Sequence, residues 1–253
     1  MSPKIRLAGV LSIIAGFAVT VNEANAASVT FSGSDSFGRS ASVSFVDSGS
    51  TLAVTLTNTS PADVMVPIDV LTGVFFDVVG SPALTRVSAI LNAGSTVLFG
   101  TPDPGGVVGG EWAYKSGLSG APGTATEGIS STGLGLFGPG NRFPGTNLQG
   151  PTSPNGLEYG ITSAGDDSTT GNTPVTGTQA LIKNSVVFTL SGFVAGSTFS
   201  NVSFQYGTDL SEPNVPGNPD PPGGPNPGVP EPSSLLLAGV GMAFALRCRG
   251  RRK

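Results

Sequence analysis

Thr51-Leu52-Ala53-Val54-Thr55-Leu56-Thr57 alternates between apolar and hydroxyl-bearing side chains along most of its length. Successive side chains of a strand point to opposite faces, so Leu52, Val54 and Leu56 share one face and the threonines share the other. A period of two predicts a strand with one buried face and one face in solvent.

The same period recurs on both sides of this stretch. Residues 28–32 and 42–45 alternate upstream, and Asp47-Ser48-Gly49-Ser50 predicts a hairpin connection between two of the strands. Residues 70–79 are more continuously apolar, which is typical of a central strand. Further candidate strands are residues 87–91, 96–99, 181–190 and 201–206. Because residues 27–212 lack a capped helical stripe, the pattern predicts an all-β domain, a β-sandwich or jelly roll.

Residues 100–160 differ from this pattern. They hold 17 glycines, and only residues 111–114 and 157–161 resemble strands. Long loops in compact domains are usually functional or mobile. Two interpretations remain open: elaborated loops at one end of the sandwich, or local disorder.

Residue types exclude much catalytic chemistry. The chain has no histidine, and its one cysteine is Cys248. This removes the Ser-His-Asp triad, Cys-His catalysis and the usual zinc sites. We therefore expect a protein that is not an enzyme and has no cofactor or metal. The exported part, without disulfides, must be stabilised by its core.

The net charge of the expected exported part limits the kinds of partner that it can bind. Residues 27–230 hold five Lys or Arg and fourteen Asp or Glu, a net charge of −9. Nucleic acid demands basic patches, so it is excluded as a partner.

The N-terminal residues have the order of a secretory signal. Lys4 and Arg6 precede a mostly apolar run over residues 7–21, and Ala24-Asn25-Ala26 is a small-x-small site. We expect signal peptidase to remove residues 1–26 and to leave Ala27 as the first residue.

Three features follow one another in residues 230–253. Pro230-Glu231-Pro232 precedes an uncharged apolar run over residues 233–246, and then come the basic residues Arg247, Arg249, Arg251, Arg252 and Lys253. The run spans roughly 21 Å as a helix at about 1.5 Å per residue. A bilayer core of about 30 Å needs roughly 20 residues. We therefore expect a short, weak transmembrane helix with a cytoplasmic basic tail, or alternatively an ordinary tail anchor.

The segment before this pattern is rich in proline and glycine. We expect residues 213–229 to be an extended polyproline-type linker that holds the domain off the membrane. The predicted organisation is a signal peptide (1–26), a β-domain (27–212), a linker (213–229) and a membrane-directed segment (230–253).

The pattern in residues 230–253 resembles the PEP-CTERM sorting signal of Gram-negative bacteria. The resemblance covers about the last 25 residues and rests on Pro230-Glu231-Pro232, the short apolar span and the basic tail. It implies a substrate of exosortase, a membrane cysteine enzyme that removes the tail during export. It also implies transient insertion in the inner membrane, followed by a place at the cell surface or in a matrix of extracellular polysaccharide or biofilm.

The role of the β-domain leaves alternatives open. A structural or binding role is the first expectation. A carbohydrate-binding module is the second, with Trp112 and Tyr159 as candidate stacking residues; Asp166 and Asp167, with Asp103 or Asp209, are candidate calcium ligands. A glycoside hydrolase that uses Glu111 and Glu158 is the third, and it requires about 5–9.5 Å between the two carboxyl groups. Solvated turn aspartates and core aromatics are the simpler interpretation of the same residues.

Overall fold

The computed structural model describes residues 27–80, 84–138, 147–148, 158–171, 175 and 179–221. Strands dominate this part, with two short 3₁₀-helices at Pro67–Asp69 and Pro122–Thr124. The strands are β1 (Ser28–Ser34), β2 (Ser40–Asp47), β3 (Thr51–Asn58), β4 (Leu71–Val79), β5 (Thr85–Leu91), β6 (Thr96–Leu98), β7 (Ala113–Ser116), β8 (Glu127–Ser130), β9 (Ile161–Thr162), β10 (Leu181–Lys183), β11 (Ser185–Ser191), β12 (Thr198–Tyr206), β13 (Asn214–Pro216) and β14 (Asn218–Pro219). The all-β prediction is confirmed.

The first sheet has the order β14-β1-β2-β3-β11-β5, and all its neighbours run antiparallel. Leu52, Val54 and Leu56 of β3 are fully buried, while the residues between them are partly exposed. The alternation in the sequence of β3 therefore corresponds to one buried face and one face that is partly exposed to solvent. The predicted hairpin joins β2 to β3, and the Asp47 carboxylate accepts a hydrogen bond from the Gly49 N–H at 2.8 Å.

The second sheet has the order β13-β12-β4-β9-β10-β6, with β8 also paired to β4 and β7 to β8. Its side chains meet those of the first sheet in one core; for example, the ring centroids of Phe45 on β2 and Phe76 on β4 lie 5.1 Å apart. The two sheets therefore form a sandwich, as expected. The first six residues of β4 are buried, in agreement with the prediction of a central strand.

A second apolar cluster covers the outer face of the second sheet. Phe75 points away from the shared core, because its neighbours Val74 and Phe76 point into it. The cluster consists of Phe75, Ala113, Leu118, Ala121, Ala125, Leu134 and Phe137. β7 and β8 extend the second sheet beside β4, and we call the residues between and after them, 117–126 and 131–137, the cover, because their apolar side chains share one cluster with Phe75. This part of the glycine-rich region thus lies over a sheet face, whereas loops at one end of the sandwich were expected.

Two strand predictions are wrong in detail. Residues 181–190 form two strands in different sheets, because the chain crosses between the sheets at Asn184, whose φ is 90°. Asn tolerates this left-handed conformation better than most residues do. In residues 111–114 only the last two are extended, and the strand continues to Ser116.

The packed domain continues past the expected boundary at residue 212. β13 pairs with β12 in the second sheet, and β14 pairs with β1 in the first. Residues 214–219 therefore belong to the sheets and not to the expected linker. In the described part of the chain no helix is long and apolar enough for a bilayer crossing; residues 1–26 and 233–246, the predicted signal and span, lie outside it.

Candidate functional site

The two aromatic residues expected to stack on a sugar are core residues. Trp112 has no exposed surface, and its ring centroid lies 4.9 Å from that of Phe188. Tyr159 is 7% exposed and donates its hydroxyl hydrogen bond to the Thr101 carbonyl at 3.1 Å. Their ring faces are used in packing, so their positions do not support a stacking role. Sequence reasoning could not tell a buried aromatic from an exposed one here.

Glu111 lies beside Trp112 and is almost enclosed, with 8% of its surface exposed. Burial, together with the charges of Asp103 and Glu158, raises the pKa of Glu111 to about 7. Burial also raises the pKa of Glu158. The hydrolase alternative therefore has its two carboxyl groups within electrostatic reach of each other, but a glycosidic bond has little access to Glu111.

The aspartates considered for calcium do not converge. Asp167 accepts hydrogen bonds from the N–H and hydroxyl of Thr169, and Asp209 accepts one from the Ser211 N–H, which lowers the pKa of each carboxyl. Both thus shape turns, as the simpler interpretation predicts. Among the residues that the structure describes, no three or more Asp, Glu, His or Cys are grouped so that they could hold a metal ion.

Asp166 is buried and pairs with Asp63, which sequence reasoning did not single out. The Asp166 carboxylate accepts a hydrogen bond from the Val64 N–H at 3.1 Å, and Asp63 accepts one from the Asp167 N–H at 2.8 Å. Burial raises the pKa of Asp166, whereas the Thr170 hydroxyl, foremost among its hydrogen-bond donors, lowers the pKa of Asp63. The pair fastens two loops to each other and has a structural role.

Residues 214–219, which we call the clasp, connect the edges of the two sheets. β13 belongs to one sheet and β14 to the other, and between them the Gly217 N–H donates to the Val202 carbonyl at 2.8 Å. The clasp passes so close to β1 that a Cβ added at Gly33 would lie 2.3 Å from the Pro216 carbonyl oxygen. A glycine at position 33 is therefore required by this close approach.

The two ends of the described domain leave it on the same side. Ala27 lies at the start of β1, where its carbonyl accepts a hydrogen bond from Asp47. β14 runs antiparallel to β1, and the Asp220 N–H donates to the Thr30 carbonyl at 2.8 Å, so the chain leaves in the direction of Ala27. Ala27 is exposed. Ala24, Ala26, Pro230, Glu231, Pro232 and the basic residues 247–253 lie outside the described residues.

A groove of about 510 Å³ lies beside the clasp, where the sheet edges meet. It is lined by Phe31, Gly123, residues 199–203 of β12 and, from the clasp, Asn214, Pro216, Gly217 and Pro219. The pairing of β12 with β4 shifts register between Ser200 and Ser203, and Asn201 in this bulge has a φ of 51°. β-Bulges are over-represented next to binding and active sites, where they re-aim side chains.

Comparisons with known proteins identify the C-terminal segment. A family model of the PEP-CTERM protein-sorting motif matches residues 228–252, and no curated protein or solved structure gives a significant match. The matched residues include Pro230-Glu231-Pro232, the apolar run and four of the five basic residues. The class is thus an exported protein with an all-β domain and a C-terminal sorting segment. More narrowly, the chain carries a PEP-CTERM protein-sorting motif, as the sequence predicted, and this motif indicates processing by exosortase.

Proposed function

We propose that this chain is a non-catalytic surface protein of a Gram-negative bacterium. Signal peptidase removes residues 1–26, the span over residues 233–246 holds the chain briefly in the inner membrane, and exosortase cuts near Pro230-Glu231-Pro232. The β-domain then stays at the cell surface or in an extracellular polysaccharide matrix, where it has a structural or binding role. The match of the sorting motif to residues 228–252 is the observation that carries this proposal.

The position of the chain ends supports this order of events. Ala27 and Asp220 lie toward the same end of β1, so the β-domain can be complete while both flanking segments are still in one membrane. A domain whose ends left from opposite sides would need a longer connection to reach the same bilayer. The absence of histidine and of a second cysteine supports the non-catalytic part.

Intact mass spectrometry of the full chain expressed in its host tests the processing. With exosortase present we expect a species that begins at Ala27 and ends near Pro230-Glu231-Pro232; without exosortase the basic tail should be retained. Replacing Glu231 by Ala within the motif should block the cut. The matched control is Glu212→Ala, since Glu212 lies before the motif, in the described domain. A tail that is retained in cells with active exosortase would contradict the proposal.

A carbohydrate-binding role is the second candidate function. The groove beside the clasp favours it, because its volume lies within the roughly 300–1,000 Å³ typical of small-molecule sites. Trp112 and Tyr159 no longer support this role, since both are buried. If the domain binds polysaccharide, a different set of residues must make the contacts.

A further inference from the structure

We propose that Asp63 and Asp166 form a proton-dependent latch between two loops, residues 59–66 after β3 and residues 163–171 after β9. The latch is closed while the two carboxyl groups share one proton, and it opens when both are ionised. This conformational device goes beyond the proposed surface role, and it does not depend on how the tail is processed.

Each carboxyl group of the latch accepts a hydrogen bond from the backbone of the other loop. The Val64 N–H donates to Asp166 at 3.1 Å, and the Asp167 N–H donates to Asp63 at 2.8 Å. The Thr170 hydroxyl donates to Asp63 as well. Because each loop supplies donors to the other, the two loops separate only if several hydrogen bonds break together.

The two carboxyl groups of the latch are also hydrogen-bonded to each other. Two carboxylates have no donor between them, so this contact requires one proton. With the proton, the contact is a charge-assisted O–H···O⁻ hydrogen bond; without it, two negative charges repel each other at the same place. The loss of one proton therefore turns an attraction between the loops into a repulsion.

Burial determines which of the two carboxyl groups holds the proton. Asp166 is only 5% exposed, and burial raises its pKa. Asp63 is partly exposed, and the Thr170 hydroxyl, foremost among its hydrogen-bond donors, lowers its pKa. We therefore assign the proton to Asp166 and the negative charge to Asp63 when the latch is closed.

On the side of β10, one cation and one further carboxyl group lie near the latch. Lys183 donates its Nζ hydrogen bond to the Asp166 backbone carbonyl at 2.7 Å. The exposed Asp167 carboxyl accepts hydrogen bonds from Thr169, which lower its pKa, so it stays ionised. Once Asp166 is ionised as well, the single charge of Lys183 offsets only part of the negative charge gathered here.

On the side of Asp63, the nearest cation is held by other carboxylates. Arg39 and Asp69 line the same small pocket as Asp63. The Arg39 guanidinium pairs with Asp35 at 2.7 Å and with Asp69 at 3.0 Å. Because two carboxylates already share the charge of Arg39, it does not replace the proton of the latch.

Opening of the latch would loosen a small apolar cluster. Val64 is 2% exposed and packs with Val70, Val175 and Leu181. The loops stay joined through Ser163, whose hydroxyl donates to the Ala62 carbonyl at 2.8 Å in a bond without a titratable group. We therefore expect local opening of residues 63–66 and 166–170, with the sandwich intact.

The pH range of the latch follows from the two pKa shifts. The pKa of Asp166 is raised, so its contribution to stability is complete below the ordinary value of 3.8 and is lost as the pH rises through the raised pKa. The pKa of Asp63 is lowered, so its contribution is present above 3.8 and is lost as the pH falls through the lowered pKa. The latch is therefore closed at mildly acidic pH and opens on the alkaline side.

Hydrogen-exchange mass spectrometry of the full chain in detergent tests the latch at about pH 5 and about pH 8, with exposure times corrected for the intrinsic pH dependence of exchange. We expect the protection of peptides that cover residues 63–66 and 166–170 to fall on the order of tenfold from the lower to the higher pH. Peptides from β3 are the internal control and should keep their protection. Equal protection of the two loops at both pH values, or a matching loss in β3, would overturn the proposal.

Asp166→Asn keeps the size and the hydrogen-bond donor of the protonated side chain but cannot ionise. We expect this variant to keep the loops as protected at about pH 8 as at about pH 5. The matched control is Asp209→Asn, which should retain the wild-type pH dependence because Asp209 is exposed in another turn. A pH-dependent opening in Asp166→Asn would overturn the proposal. Wild-type protection restored at about pH 8 by calcium ions alone would overturn it in favour of a cation between the carboxyl groups.

Discussion

The outer faces of the two sheets differ in how far they are exposed to solvent. On the first sheet the outer face carries partly exposed hydroxyl side chains such as Thr55, whereas on the second sheet the cover buries Phe75 completely. One sheet is therefore half-buried, and the middle of the other is buried on both sides. The difference shows how a chain of low charge and high glycine content builds apolar contacts outside the space between its sheets.

The largest expected effect compares two neighbouring residues on β4. Phe76 faces the shared core and Phe75 faces the cover, and both are fully buried. We expect Phe76→Ala and Phe75→Ala each to lower the free energy of unfolding by about 3–5 kcal/mol, because each leaves a cavity. Urea denaturation of the two variants measures this. A cost below about 1 kcal/mol for Phe75→Ala would show that the cover does not pack on the sheet.

A smaller loss of stability is expected from a substitution that tests how closely the cover packs against Phe75. A Cβ added at Gly128 would lie 2.9 Å from both the Phe75 and Phe137 rings. We expect Gly128→Ala to lower the free energy of unfolding by about 1–3 kcal/mol through overpacking. Gly165→Ala is the matched control, since its nearest neighbour, the Pro61 carbonyl oxygen, would be 3.6 Å away. Equal stability of the two variants in urea would contradict close packing of the cover.

The burial of Glu111 can be tested by the pH dependence of the free energy of unfolding. Burial raises the pKa of Glu111 in the folded chain from 4.5 to about 7, so folding takes up a proton between these two values. The stability that Glu111 contributes is present below pH 4.5 and is lost as pH rises toward 7. Glu111→Gln should therefore gain about 1–2 kcal/mol relative to wild type between pH 4.5 and 8, after allowance for solvent screening.

Urea denaturation of both proteins at several pH values measures this gain. A pH profile of Glu111→Gln parallel to that of wild type would show that Glu111 is solvated. That result would also reopen its access to a substrate.

The smallest effect is expected on the open face of the first sheet. Thr55 lies between Ser44 and Val187 on neighbouring strands and is partly exposed. We expect Thr55→Ala to change the free energy of unfolding by less than about 1 kcal/mol, since only strand propensity and surface contacts change. A cost close to that of Phe75→Ala would mean that this face is also covered.

The two faces also explain how much of the fold was predictable. Leu52, Val54 and Leu56 alternate with hydroxyl side chains because their strand has one wet face, and the sequence shows this directly. The cover has no such period: Leu118, Ala125 and Phe137 are widely spaced, and glycine-rich turns bring them together. Only the tertiary contacts reveal that these residues share a cluster.

The clasp and the groove were missed for a similar reason. Proline density predicts an extended linker, yet Val215 is 2% exposed in the core, and it is the one strongly apolar side chain in residues 213–221. The sorting motif, in contrast, was readable from residue order alone, because a processing enzyme recognises a short linear segment. The side chains that line the groove come together only because β1, β12 and the clasp become neighbours, and that information is not local in the sequence.

The short pairing of β14 with β1 determines how the domain responds to mechanical load. In a chain held by its tail as proposed, a pull on the tail would reach the Asp220–Thr30 hydrogen bond first and then the two residues of β14. Ala27 and the tail lie toward the same end, so tension between them peels this pairing open one bond at a time and does not shear all bonds together. The clasp would yield before the shared core carries force, and cutting the tail would remove that load from the mature protein.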